Sequence, residues 1–222
     1  LRKLNLDAQV IFSDPVPERF RFLNHNNMHR VVAPGEKLEA DLIVVLDTTD
    51  FDRLGNVKRE MIVHATLVNI DHHISNANFG QLNWVESTAA ATGELIWRLA
   101  ACCGWSVPAV ALEGLYTALV TDTGQFAYSN TSARILRMAA ELVEAGVDPE
   151  YTWRRIFLNK SAAELKLEAL ARNSLEVWSD GQISVIGLSH QDFAATGTGP
   201  EATQEFPGIP RSLAGAKLAL FF

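Results

Sequence analysis

The run Asn69-Ile70-Asp71-His72-His73-Ile74-Ser75-Asn76 places one carboxylate and two imidazoles side by side, directly after the apolar segment Ala65-Thr66-Leu67-Val68-Asn69-Ile70. A loop that needed only solubility would use Ser, Gly, Asn or Lys. Adjacent oxygen and nitrogen donors at the end of a buried strand have no routine structural job, so here function is the leading explanation. Two more carboxylates follow apolar segments: Asp47 after Leu42-Ile43-Val44-Val45-Leu46, and Asp122 after Leu115-Tyr116-Thr117-Ala118-Leu119-Val120. In open parallel sheets, ligands gather at the carboxyl ends of strands. Asp47, the triplet and Asp122 are therefore expected to converge on one sheet edge.

Carboxylate oxygen with imidazole nitrogen, and no thiolate, suits Mn²⁺, Mg²⁺ or Fe²⁺ better than structural Zn²⁺. Several Asp around a cation pair form the two-metal arrangement used for phosphoryl transfer, with the ions roughly 3.5–4 Å apart. Asp47 is suited to bridge two cations, because a carboxylate has two oxygens. Taken singly, Asp47 and Asp122 read as turn formers or caps, and Thr123-Gly124 is turn chemistry as well. Asp50 and Asp52 fit a cap as well as a ligand role. His64 and His190 are isolated and read as structural or surface residues. His25 and His29 lie in a polar stretch that reads as a solvated loop.

The elements that must position these groups are an alternation of strands and helices. Residues 8–12 are a short strand candidate, stopped by Ser13-Asp14-Pro15. The segment Asp41–Asp47 is apolar without alternation, as for a parallel strand covered on both faces. Thr66–Ile70 is a further strand, and residues 52–63 read as a loop and a short helix. Ser87 is expected to cap a helix through Ala100, ended by Gly104. Pro108 opens a helix toward Val120. Residues 132–145 are amphipathic, Asp148-Pro149 opens another helix, and Ser161-Ala162-Ala163-Glu164 is a capping box for a helix to about Arg172. Beyond Asn173, residues 174–178 and 182–187 read as strands joined at Asp180-Gly181. A short helix at 191–195 and a strand-like 216–222 follow, and residues 1–4 resemble a helix end.

The chain has 222 residues and a formal charge of −7. That charge argues against a broad, sequence-independent grip on duplex phosphates, yet bound cations would cancel part of it. No apolar run approaches the roughly 20 residues of a membrane span. Cys102 and Cys103 are neighbours in a helical pattern, which argues against a disulfide framework and for a reducing, cytoplasmic setting.

These motifs resemble a known family. Asp71-His72-His73 resembles the name-giving motif of the DHH phosphoesterases. Leu46-Asp47-Thr48-Thr49-Asp50 resembles their second motif. Val120-Thr121-Asp122-Thr123-Gly124-Gln125-Phe126, followed by Tyr128-Ser129-Asn130-Thr131, resembles their fourth. Asp14 to Leu23 is similar to a segment of the nanoRNase type, the bifunctional oligoribonucleases and pAp phosphatases. Gln191-Asp192-Phe193-Ala194-Ala195-Thr196-Gly197 resembles the start of a DHHA1 domain.

The resemblance implies an α/β fold: a parallel-sheet DHH domain with flanking helices over 1–172, then a partial, smaller α/β DHHA1 domain over 173–222. It implies two Mn²⁺ ions, with Mg²⁺ as the alternative. Asp47 would bridge them, and His72 and Asp122 would complete one shell. Asp71 would orient the site, and His73 would contact the scissile phosphate or the attacking water. The implied partners are short single-stranded RNA or small phosphorylated nucleotides; no membrane is implied, and a homodimer is allowed. The family's first motif is expected upstream of Leu1, and the Gly-rich DHHA1 motif beyond Phe222. The chain thus reads as a stretch of a longer enzyme, impaired by itself. The competing readings are a RecJ-type single-strand exonuclease, an exopolyphosphatase, a family II inorganic pyrophosphatase and a non-catalytic nucleotide-binding module.

Overall fold

A computed structural model describes residues 6–24, 29–57 and 61–222, with the backbone alone at Val63. The helix end read at 1–4, and His25, lie outside the described residues. The chain divides into two compact units, Leu1–Ile156 and Phe157–Phe222.

In the first unit, β1 (Val10–Phe12) pairs in parallel with β2 (His29–Val31), and β3 (Leu38–Glu39) pairs in parallel with β5 (Ile62–Val63). The site is carried by β4 (Leu42–Leu46), β6 (Thr66–Asp71) and β7 (Leu82–Val85), an all-parallel sheet of order β4-β6-β7. The register sets Leu46 opposite Ile70 and Asp71 opposite Val85. The carboxyl ends of β4 and β6 therefore finish side by side, and the residues that follow them share one rim. The apolar pattern correctly marks β4 and β6. It misses β7, whose Asn83 interrupts a four-residue strand.

Strand β4 is parallel as expected, but it is covered on one face only. Val45 is buried with Phe51 and Leu67, whereas Leu42, Val44 and Leu46 are 52, 41 and 45% exposed. The helix on that face, α1 (Thr92–Cys102), packs over the β6–β7 half instead. Its Leu95 joins Ile70 and Ala89, flanked by Val68, Trp84, Ile96 and Leu99.

Helix α1 also starts later than Ser87. Ser87 and Thr88 form a turn, and Ala89, Ala90 and Ala91 are buried in a tight non-helical segment. Glu94 replaces a side-chain N-cap: its Oε2 accepts the Ala90 N–H at 2.9 Å, so a donor orphaned at the helix start is satisfied from within the first turn. Helix α2 (Ala109–Asp122) follows Pro108, which is its N-cap. Ser132 caps α3 (Ala133–Glu144) by accepting from Ile135 N, and α4 (Pro149–Phe157) begins at the predicted proline.

In the second unit, α5 (Ala162–Asn173) carries the predicted capping box of Ser161 and Glu164. Strands β8 (Glu176–Trp178) and β9 (Ile183–Ile186) form an antiparallel hairpin turned through Ser179, Asp180 and Gly181, all at positive φ. Helices α6 (His190–Thr196) and α7 (Gly208–Arg211) lead to β10 (Leu218–Phe221), parallel to β9. The sequence reading placed residues up to 172 in the first domain. In the structure α5 belongs to the second compact unit, because its Leu167 and Ala171 are fully buried against Ile186 and Phe206.

Candidate metal centre

Asp47 follows β4 in a left-handed conformation, φ 57°, which is unfavourable for most side chains but better tolerated by Asp. Its N–H donates to Ile70 O at 3.1 Å, tying it to β6. The turn aims the carboxylate at the strand-end residues His72 and His73. Asp47 Oδ1 lies 3.5 Å from His72 Nε2 and 3.9 Å from His73 Nδ1. Asp47, Asp71, His72 and His73 each offer a ligand atom within 4.8 Å of the others.

Asp122 reaches the same place by another route. It is the last residue of α2, so it arrives on a helix C-terminus and not on a strand, which corrects the expectation of a common sheet edge. Its Oδ2 is 3.6 Å from His72 Nε2. Burial first, and the charge of Asp47 next, push its carboxyl up to about 6. The last turn of α2 holds no basic residue. A carboxylate there faces the negative end of the helix dipole, a position that favours cations.

Asp71 differs from Asp47 and Asp122. It is fully buried, and its Oδ1 accepts from His72 N–H and from His73 Nδ1, both at 2.7 Å, while Oδ2 accepts from Asn76 Nδ2 at 2.6 Å. Burial alone would push its carboxyl up. The Asn76 and His73 bonds and the His72 amide outweigh it, so the group sits below its ordinary value. With Nδ1 engaged by Asp71, His73 has Nε2 left to face outward.

His72 is fixed from the other side. Its Nδ1 lies 3.3 Å from Ala89 O. A carbonyl only accepts, so this bond places the proton on Nδ1 and leaves the Nε2 lone pair toward Asp47 and Asp122.

Several participants have no signature in the sequence. Thr92 Oγ1 donates to Asp47 Oδ1 at 2.9 Å. Asn69, fully buried in β6, donates to Thr48 O at 3.2 Å and accepts from Asn76 Nδ2 at 2.8 Å. Asn130 Nδ2 donates to Asp122 O at 3.0 Å and to Ala90 O at 3.2 Å. A buried Asn inside an otherwise apolar strand, with a second Asn three residues after the triplet, was the one available signal. Asp50 is a cap, accepting from Arg53 N, and His64 is exposed at φ 57°. His29 lies in β2, and His190 opens α6. The structure brings none of these four into the cluster.

The donor set fits a divalent cation. Asp47 and Asp122 face each other across His72, and no Lys or Arg among the described residues forms an ion pair with either carboxylate. A cation would offset the burial and the Asp47 charge that together raise the Asp122 carboxyl, and hard oxygen donors with imidazole are the ligands such ions take.

No family model matches the chain. Among proteins of known name, the bifunctional oligoribonuclease and PAP phosphatase NrnA of Thermus thermophilus is 32% identical over 223 aligned residues, covering 100% of this chain and 64% of that protein. The protein of the same name from Bacillus subtilis is 26% identical over 190 residues, covering 84% of this chain and 59% of its own length. The chain is a homologue of the NrnA proteins. It spans about three fifths of the length of these curated relatives. The crystal structure of an exopolyphosphatase-related protein from Bacteroides fragilis superposes with a TM-score of 0.86 at 21% identity, over 97% of this chain and 66% of that one. This likeness establishes the α/β fold. No helix among the described residues is long and apolar enough to cross a membrane.

Proposed function

We propose that this chain carries the metal-binding half of a phosphoesterase that releases nucleoside monophosphates from short oligoribonucleotides and inorganic phosphate from pAp. The observation that carries this reading is the meeting of Asp47, His72 and Asp122 from two strand ends and a helix end, with separations of 3.5 and 3.6 Å and no ion-paired Lys or Arg among the described residues. The substrates are those in the names of the NrnA relatives.

Asp47, His72 through Nε2, and Asp122 would hold the cation, with Asp47 free to offer its second oxygen to a neighbouring ion. Mn²⁺ is the ion assigned here, and Mg²⁺ shares its oxygen ligands. When bound, such ions neutralise phosphate oxygens and lower the pKa of a water. The chain's own side chains do the rest. Asp71 holds the His73 ring through Nδ1, so that Nε2 can hydrogen-bond a phosphate oxygen or steer the incoming water. Ala89 O keeps the His72 proton on Nδ1. Thr92 and the Ile70 carbonyl hold Asp47 in its left-handed turn.

The test is a hydrolysis panel on the full-length enzyme with Mn²⁺: RNA dimers to pentamers, pAp, pyrophosphate and polyphosphate. Turnover of the short RNAs and pAp is expected. Turnover confined to pyrophosphate or polyphosphate would overturn the substrate assignment.

A further inference from the structure

The three proposed ligands come from separate elements, yet each is braced by one short segment, Ala89 to Thr92. Ala89 O accepts from His72 Nδ1–H, Ala90 O accepts from the Asn130 amide that also donates to Asp122 O, and Thr92 Oγ1 donates to Asp47. What holds that segment is a buried charge. Glu94 is 1% exposed; its Oε2 accepts the Ala90 N–H, and its Oε1 pairs with Arg134 Nε at 2.6 Å. Arg134 reaches past Glu94 and donates through its other nitrogen to Thr88 O at 3.1 Å. The pair thus grips the segment by a backbone N–H and a backbone carbonyl, from α1 and α3. Burying a carboxylate is costly unless it is paired and hydrogen-bonded, and an apolar residue would pack α1 more cheaply.

We infer that Glu94 and Arg134 are positioning residues for the metal centre: they fix the Thr88–Thr92 segment, which in turn sets the His72 tautomer and the Asp47 carboxylate. This inference rests on the proposed metal role of those residues. Its first readout needs no metal, so the two can fail separately. The planar Arg fork suits the role because one side chain must serve a carboxylate and a carbonyl together.

The experiment takes the 222-residue chain with ¹⁵N-labelled histidine and compares wild type, Glu94→Gln, Arg134→Gln and the double variant. In metal-free wild type, long-range ¹H–¹⁵N spectra should show His72 protonated at Nδ1. In each variant the two tautomers should mix, and Mn²⁺ affinity should fall roughly tenfold, as for lost partners of ligating groups. The double variant should match the single ones, since both act through one contact. Arg134→Lys keeps the charge but not the fork, and should fall between. Arg134 is half-exposed on α3, so Arg134→Gln decides the matter even if Glu94→Gln fails to fold. Variants that melt earlier but keep the wild-type His72 tautomer and Mn²⁺ affinity would overturn the inference and leave the pair merely structural. If wild-type His72 shows the expected tautomer but Mn²⁺ leaves its signal untouched, the metal reading fails instead.

Discussion

Two acidic groups in this chain, one in each compact unit, have been driven in opposite directions. In the second unit, Glu168 accepts from Lys160 Nζ at 2.8 Å and from Arg172 at 2.7 Å, and Lys160 also reaches Glu205 at 3.3 Å. Lys160 first and Arg172 next hold the Glu168 carboxyl below its ordinary value. In the first unit, Asp122 is pushed up to about 6 by burial and by Asp47. A network that serves only the fold balances its charges from within. One left unbalanced at the junction of two strand ends and a helix end stores repulsion that a cation can release. Partly buried acids are tolerated in both places, but only the arrangement at Asp122 asks for something from outside.

The sharpest way to break this contrast is Asp47→Ala. If Asp47 ligates and bridges, Mn²⁺-dependent hydrolysis of pAp by the full-length enzyme should fall on the order of 1,000-fold, the rate equivalent of the several kcal/mol that a catalytic metal supplies, while the circular dichroism spectrum stays unchanged. Undiminished turnover would remove Asp47 from the centre.

Asp122→Asn probes the stored repulsion. The folded chain holds the Asp122 proton up to about pH 6, against an ordinary value of 3.8. The stability tied to that proton is fully present below about pH 4 and is lost as the pH rises through 6. Without metal, Asp122→Asn should therefore melt higher than wild type at pH 8, by about 1–2 kcal/mol after screening, and the gain should vanish near pH 4. With Mn²⁺ the order should reverse, because a ligand has been lost. Mn²⁺ binding by wild type should likewise weaken as the pH falls below about 6, where protons compete for the same oxygen.

Glu168→Gln is the counter-case. The loss should be about 1 kcal/mol or less, as for a partly exposed ion-pair network, with the opposite pH sign. Glu168 titrates below its ordinary 4.5, so its contribution is present above that value and lost as the pH falls through the folded pKa. Thermal melts at pH 3 and pH 7 would show the variant and wild type converging in acid. Mn²⁺ affinity should not change.

The legible part of this molecule was what repeats locally. The unbroken apolar run Leu42–Leu46 showed a strand, the Ser161–Glu164 spacing showed a cap, and Asp71-His72-His73 marked the rim because that triplet has no cheaper use. Asp122 was expected beside the triplet for a partly wrong reason: the helix read from Pro108 toward Val120 carries it in at its own C-terminus, so it reaches the cluster from a helix end and not from the sheet edge. The bracing groups were illegible because their bonds span the chain. Thr92 meets Asp47 across 45 residues, and Asn130 meets Ala90 across 40. Ala89 and Ala90 act through backbone carbonyls, which carry no residue code at all. Glu94 read as an ordinary first-turn acid, and only its burial shows that it is something else.

The central claim is that Asp47, His72 and Asp122 share a cation. The most direct measurement is anomalous diffraction at the manganese edge from crystals of the chain grown with Mn²⁺. The account predicts a peak within bonding distance of an Asp47 oxygen, His72 Nε2 and an Asp122 oxygen. A manganese peak elsewhere, with these three side chains bound only to water, would contradict it.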